Sequence, residues 1–346
     1  MSSSMQAAAH RRRQYTGEGH QQAIRALGRL SASENPIPAP ASPAQERLEA
    51  TVFLRLLETR DCFTRYPLGL VAVHPTPTGI TLELESEERA AEVLFELLPT
   101  SAPDDEELHG LAGLRITKRL RTAIELRVLG RAAQLRLGGL PSTTWHRAEQ
   151  ATHAKWIDPD TMRFCWSASP TRRTAREQEH ALMWEDDADS FVRTWQRGAW
   201  LGSALLRRAA LLHTSANTYL VDGYRGAASN LTRWVVRSSH TPERGPGPHH
   251  IVAALLDPVF GVPLRLTRFR GDTDEGPNRD QHFVLEDPDK TAVLELRTTA
   301  EKPPARLSAE LWQAILRRMP DQAGDSSLSP ETIVRLCGSG SGEISA

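Results

Sequence analysis

Hydrophobic residues recur at two different spacings along the chain, and the spacing changes with position. Behind Ser42, apolar residues recur every three or four positions up to Leu57, which predicts a helix starting at Pro43 with Gln45 in a capping box. From Leu68 the apolar residues alternate with polar ones, which predicts a hairpin around a PTPTG turn. A helix is then expected at 86–98. Three short strands are expected after it, at 113–120, 123–129 and 133–139.

Strand spacing fades in residues 142–240, where six of the eight tryptophans fall. The pattern predicts four helices there, at about 143–153, 173–184, 189–213 and 216–238. Alternation returns at PLRLTRF and in a hairpin around DPDK, and SAELWQAILRRM has helical spacing. The Gly/Ser-rich end of the chain is expected to be disordered.

These elements predict an α+β protein with antiparallel strands in the N-terminal half, a Trp-rich helical middle and a C-terminal β-hairpin plus helix. We expect a basic amphipathic helix with a Pro/Ala/Ser linker, an α+β domain, a helix-rich region with the C-terminal hairpin, and a disordered tail. The predicted boundaries are 1–41, 42–141, 142–320 and 321–346.

Composition narrows the classes of function. The 42 basic and 43 acidic residues nearly cancel, so any surface that binds polyanions must be local. Three widely spaced cysteines argue against a disulfide framework, and the sequence contains no apolar run of membrane-spanning length. We therefore expect a soluble cytoplasmic protein with no membrane partner.

The N-terminal stretch RRRQYTGEGHQQAIRAL combines three arginines, a glycine-containing turn and an amphipathic stripe. A helix this short is marginal alone, so it needs a partner surface. The helix either docks back on the body or binds a protein partner as a helix in a groove. The residues predicted to contact the partner are Arg11, Arg12, Arg13, Tyr15, Ile24, Leu27 and Leu30.

The pattern Arg-Arg-Arg-x-Tyr-Thr-Gly-Glu-x-x-Gln-Gln-Ala, residues 11–23, resembles a short N-terminal motif of many uncharacterised actinobacterial accessory proteins. Several of those proteins are encoded on plasmids or other mobile elements. The resemblance covers about 20 residues and carries no activity. It implies a shared recruitment or docking element, and the body of the chain is not part of the resemblance.

Two other residue sets could carry chemistry. A basic segment around 115–136 follows an acidic one, and alternation places arginines opposite the apolar face, which favours contact with nucleic-acid phosphates through Arg115, Arg119 and Arg127. His146, Glu149 and His153 recur on one face of a predicted helix and could share a divalent metal ion. Asp289, Glu295 and Arg297 loosely resemble the core of a Mg²⁺-dependent nuclease.

The leading interpretation is an accessory or adaptor protein, rather than an enzyme, that docks a protein partner through its N-terminal helix. The first alternative is a metal-dependent hydrolase or nuclease, for which a divalent metal would be the cofactor. The second is a nucleic-acid-binding protein that uses the basic face around 115–136.

Overall fold

The computed structural model describes most of the chain. The described residues are 3–31, 34–59, 63–102, 108–154, 162–185, 189–215, 218–228, 230–241, 247–271, 280–302 and 304–317. The chain begins with two helices that pack against each other, α1 (Ser3–Thr16) and α2 (His20–Leu27). The predicted disordered tail, 321–346, lies outside the described residues.

A first α+β unit comes next, residues 43–138. Its helix α3 begins as the sequence predicts, because Pro43 is the first helical residue and the Ser42 hydroxyl accepts a hydrogen bond from the Gln45 amide at 3.2 Å. The elements of this unit are α3 (Pro43–Glu58), a 3-10 turn (Pro67–Gly69), β1 (Leu70–Thr76), β2 (Gly79–Leu84), α4 (Glu87–Leu97), the two-residue strands β3 (Thr100–Ser101) and β4 (Leu108–His109), β5 (Leu114–Arg119), β6 (Ala123–Val128) and β7 (Gln134–Gly138).

A mostly helical connection leads to a second unit, residues 190–300. The connection contains α5 (Ser142–Ala154), β8 (Arg163–Phe164), α6 (Cys165–Ala168) and α7 (Ala175–Glu185). The elements of the second unit are α8 (Ser190–Leu206), a 3-10 turn (Ala209–His213), β9 (Thr218–Ala228), β10 (Leu231–His240), α9 (His249–Leu255), β11 (Arg265–Gly271), β12 (Gln281–Glu286) and β13 (Ala292–Ala300). Helix α10 (Ala309–Arg317) then packs against β9.

The two units have the same topology. Each runs through a helix, a 3-10 turn, a β-hairpin, a second helix and a three-stranded meander. The sheet orders are β1-β2-β7-β6-β5 and β9-β10-β13-β12-β11, so the third strand is at one edge of each sheet and the first strand at the other. In each sheet the second and fifth strands pair in parallel and all other pairs are antiparallel.

The third strand of each unit repeats a sequence as well as a position. Residues 114–118 read LRITK and residues 264–268 read LRLTR. In both strands the register shifts at the threonine, Thr117 or Thr267, as in a β-bulge. Each threonine hydroxyl donates to a backbone carbonyl of the neighbouring strand, at 3.3 and 3.2 Å respectively. Shared topology, bulge and sequence indicate that one unit is a copy of the other.

The equivalent helices α3 and α8 pack against each other and join the units. At their contact the Arg207 guanidinium donates two hydrogen bonds to the Glu49 carboxylate, both at 2.6 Å, and the two side chains are at most 1% exposed. Ser203 also donates to Glu49 at 2.6 Å. Helix α3 contacts β7 of the first sheet and β9 of the second, so one hydrophobic core runs through both units.

Helix α8 lies unusually close to its own sheet, because two of its residues are glycines. The Trp234 ring on β10 occupies the space beside them, and its Nε1 donates to the Gly198 carbonyl at 3.2 Å. A Cβ atom at Gly202 would lie 2.2 Å from the Trp234 ring. Trp234 is fully buried and also packs against the Trp195 ring, with ring centroids 5.5 Å apart.

The α+β class is confirmed, and two details of the prediction are wrong. The predicted helix 216–238 is instead the β9–β10 hairpin, whose turn contains Asn230 with a positive φ of 68°. Its core-facing residues alternate, as Thr232, Trp234 and Val236 do, because the hairpin is half covered by α8. The sheets are also mixed rather than purely antiparallel.

The predicted Pro/Ala/Ser linker packs on the body over its described residues. Ile37 is 1% exposed and belongs to the common core. The carbonyl of Pro36 accepts a hydrogen bond from Arg12, and that of Pro38 accepts one from Arg207. Residues 34–41 are therefore part of the folded protein rather than a solvated spacer.

Within the described part of the chain, each helix is too short or too polar to cross a lipid bilayer.

Candidate functional site

The N-terminal arginine motif forms a buried anchor on the first unit. Arg12 donates to both oxygens of Glu18, at 2.6 and 3.1 Å, and both side chains are nearly inaccessible to solvent. Burial alone would raise the pKa of Glu18, but hydrogen bonds from His74 and Arg12 outweigh it and lower the pKa. Gly17 makes this fit possible, because its φ is +71° and a Cβ atom there would lie 2.5 Å from the Val71 carbonyl oxygen.

His74 on β1 links this anchor to β2. Its Nδ1 lies 3.3 Å from Glu18 Oε1, and its Nε2 lies 2.9 Å from Glu83 Oε1. Burial would lower the pKa of His74, but hydrogen bonding to the two carboxylates raises it to about 9. The imidazole is therefore protonated at neutral pH and holds two carboxylates together.

The same motif reaches the second unit through its other face. The buried Tyr15 ring stacks on Phe260 with centroids 5.6 Å apart, and its hydroxyl donates to the Ala254 carbonyl at 2.9 Å. Arg11 pairs with Asp257 at 2.9 Å. Helix α1 therefore binds both units at once, and the arginine motif joins them.

These contacts decide which residues of the predicted partner surface can be reached. Arg12 and Tyr15 are buried inside the protein, so a partner cannot reach these two side chains in this structure. Arg11 is occupied by Asp257, and Arg13 donates to the Glu18 carbonyl at 3.2 Å. Arg11, Arg12 and Tyr15 hold α1 on the rest of the protein, and Arg13 bonds within the motif itself.

The other three predicted contact residues lie on or just after α2 and remain accessible. Ile24, Leu27 and Leu30 are half-buried, and none of them belongs to the hydrophobic clusters of the described residues. Arg25 and Arg29 beside them are exposed. Helix α2 is held by its packing on α1 and by a Gly19 amide that donates to the Gln22 side chain at 2.7 Å. The anchored pair of helices α1 and α2 therefore presents an apolar strip flanked by arginines.

The predicted nucleic-acid face around 115–136 is largely neutralised. Arg115 is buried beneath α7, where it donates to both oxygens of Glu177 at 2.8 and 2.7 Å, so it is not available to a ligand. Arg119 donates to both oxygens of Glu149, at 3.0 and 2.7 Å. Arg127 is exposed. Lys118 and Arg136, which lie on the same sheet, both pair with Glu125.

The predicted metal ligands do not converge on a common point. Glu149 is held by Arg119, the His153 ring packs 4.3 Å from the Phe164 ring, and His146 is exposed beside Gln150. Among the residues that the structure describes, no group of three or more His, Cys, Asp or Glu side chains is placed to hold a metal ion.

The nuclease-like residues of the second unit are also separated. Asp289 is exposed in the turn before β13, whereas Glu295 lies on β13 and pairs with Arg297 at 2.7 Å. Sequence reasoning missed two residues of these sites, Glu177 and His74. Neither gives a local signal, because Glu177 pairs with Arg115, 62 residues away, and His74 bonds to Glu18, 56 residues away.

Comparisons of the chain with models of protein families, with curated proteins and with solved structures each found no match.

Proposed function

We propose that this protein is an adaptor that captures a protein partner through the accessible strip on and just after α2, namely Ile24, Leu27 and Leu30 with Arg25 and Arg29. The observation that supports this proposal is that the two N-terminal helices differ in what they contact. The segment around α1 is fixed to both units through Glu18 and Tyr15, whereas Ile24, Leu27 and Leu30 lie outside the hydrophobic clusters of the described residues.

Holding α2 in place before binding favours association. A peptide helix that forms only on binding loses conformational freedom at that moment, whereas an anchored helix has already lost it. The apolar strip supplies area for burial, and the flanking arginines favour an acidic partner surface. The partner class is therefore an acidic segment with an apolar face.

A photo-crosslinking amino acid placed at Leu27 tests the proposal in the native host. The control places the same amino acid at His146, an exposed position on α5. We expect a specific crosslinked protein from position 27 that is missing from position 146. Equal crosslinking from both positions would argue against a docking surface on α2.

The identified partner is then purified and its affinity measured by calorimetry. We expect the variant Ile24→Gln/Leu27→Gln to bind at least about 10-fold more weakly, because a loss of about 1.4 kcal/mol corresponds to that factor. The matched control is Leu182→Gln/Met183→Gln on α7, where the residues are 69% and 60% exposed. If the control variant weakens binding as much, the partner does not dock on α2.

A further inference from the structure

The outer face of the second sheet carries a line of basic side chains across four neighbouring strands. Arg237 on β10 lies opposite Arg297 on β13, Arg297 lies opposite His282 on β12, and His282 lies opposite Arg270 on β11. All four side chains are on the face opposite the core-facing residues of these strands. We call these four residues, together with Arg268 in the adjacent position of β11, the basic row.

Like charges directly opposite one another destabilise a sheet, so the basic row needs counter-charges. Asp222 at one end accepts a hydrogen bond from Arg237 at 2.6 Å. Glu295 contacts Arg297 at 2.7 Å and His282 at 3.1 Å. These two acids supply negative charge only in the middle of the sheet and on its β9 side.

The edge strand β11 has exposed arginines without such compensation. Arg268 and Arg270 form no ion pair with any residue in the described ranges. Taken over the whole outer face, the described arginines outnumber the acids by three. The arginines are Arg233, Arg237, Arg265, Arg268, Arg270 and Arg297, and the acids are Asp222, Glu286 and Glu295.

We propose that the basic row binds the phosphate backbone of single-stranded nucleic acid. Neighbouring strands lie about 4.8 Å apart, so the guanidinium groups on β10, β13 and β11 form a track across the sheet. His282 between them contributes hydrogen bonding rather than charge, because burial lowers its pKa. Guanidinium groups match phosphate oxygens in a bidentate geometry. Tyr224 lies on the same face, with its ring centroid 6.0 Å from the Arg237 guanidinium, and offers an aromatic surface on which a base can stack.

An open sheet suits a single strand better than a duplex. Bases of a single strand can splay onto a sheet and stack on aromatic or guanidinium planes. Sequence reading of duplex DNA instead requires an element that enters a groove. On the outer face of the first sheet, Arg115 is instead buried with Glu177, and Lys118 and Arg136 both pair with Glu125.

Fluorescence anisotropy with labelled 20-nucleotide oligo-uridine and oligo-deoxythymidine tests the proposal. We expect the full-length protein to bind and the variant Arg268→Gln/Arg270→Gln to bind about 10-fold more weakly at low salt. Loss of two phosphate contacts also reduces the slope of log affinity against log salt by about 1.4, since each contact on a single strand contributes about 0.7.

The matched control is Lys118→Gln/Arg127→Gln, which removes the same charge from the outer face of the first sheet. We expect this variant to bind within about twofold of wild type. Equal weakening in both variants would show a general charge effect and overturn the proposal.

Two other polyanions distinguish the class of ligand. Polyglutamate presents an acidic polypeptide, and vesicles containing phosphatidylserine present an anionic membrane. Tight binding to either one with no binding to the oligonucleotides would assign the basic row to that partner and overturn the nucleic-acid proposal. This outcome is independent of α2, so it leaves the proposed adaptor role intact.

Discussion

The two units of the molecule place the same residue in opposite surroundings. Arg115 and Arg265 occupy equivalent positions in the repeated third strand. Each follows a leucine and lies two residues before the threonine of the bulge. Arg115 is buried and paired with Glu177, and it also donates to the carbonyls of Ser169 and Arg172. Arg265 is exposed opposite Glu286.

The difference arises from the chain segments that cover, or leave open, the outer face of each sheet. The connection after the first unit folds α6 and α7 back over the outer face of β5, and the N-terminal turn of α7 supplies Glu177. The outer face of the second sheet carries the open basic row instead. A duplicated strand thus became a structural element in one unit and an accessible surface in the other.

The contact that holds the two units together should show the largest effect. Replacing Arg207 with Met leaves the Glu49 carboxylate buried without its cation, which costs about 4 kcal/mol of unfolding free energy. Urea denaturation measures this loss. The double variant Glu49→Gln/Arg207→Met should recover part of it, and no recovery would mean that packing rather than the unpaired charge controls the joint.

The matched arginines test the comparison directly. We expect Arg115→Met to lose about 3 kcal/mol of unfolding free energy, because Glu177 then remains buried and unpaired. The equivalent Arg265→Met should change stability by no more than about 0.5 kcal/mol, as exposed substitutions usually do. Similar losses in both variants would contradict the different roles of the two arginines.

The two equivalent helices should respond differently to added volume, since only α8 carries glycines. Gly202→Ala forces a methyl group against the Trp234 ring and should cost about 2 kcal/mol. The control is Gly226→Ala on β9, where no atom lies within 4 Å of the added Cβ. Thermal unfolding of both variants checks this, and a neutral Gly202→Ala would show that α8 can shift.

The contacts of α1 with the two units should differ in their dependence on pH. The pKa of His74 rises from 6.5 to about 9 on folding, so its stabilisation is complete below pH 6.5 and disappears as the pH rises through about 9. The pKa values of Glu18 and Glu83 are lowered, so their contribution is lost on acidification instead. Burial raises the pKa of Tyr15 to about 12, so its contact with the second unit persists at pH 9.5.

Urea denaturation at pH 6 and pH 9.5 measures this difference. Wild type should lose about 3 kcal/mol more than His74→Gln does over this interval, since the pKa rises from 6.5 to about 9 on folding and each pKa unit corresponds to 1.36 kcal/mol. A Tyr15→Phe variant serves as the control and should keep the wild-type dependence. The same change with pH in wild type and His74→Gln would place the titrating group elsewhere.

Local patterns in the sequence identified most elements whose signal lies within a few residues. Ser42, Pro43 and Gln45 predicted the start of α3, because capping depends on adjacent side chains and backbone amides. The β9–β10 hairpin was misread as a helix at 216–238, because its apolar residues fit helical spacing over short windows. Neither the duplication nor its mixed sheets could be read directly, since only about five residues of the repeat remain similar.

The sequence by itself determined that the N-terminal segment contains an amphipathic helix and that the strands around 115–136 carry basic residues on one face. Only the tertiary structure decided which of these residues are accessible. The pair of Arg12 and Glu18 is covered where Glu18 meets His74, Tyr15 is covered by Phe260, and Arg115 is covered where it pairs with Glu177. Burial depends on packing between elements, and a local pattern contains no information about the element that will cover it.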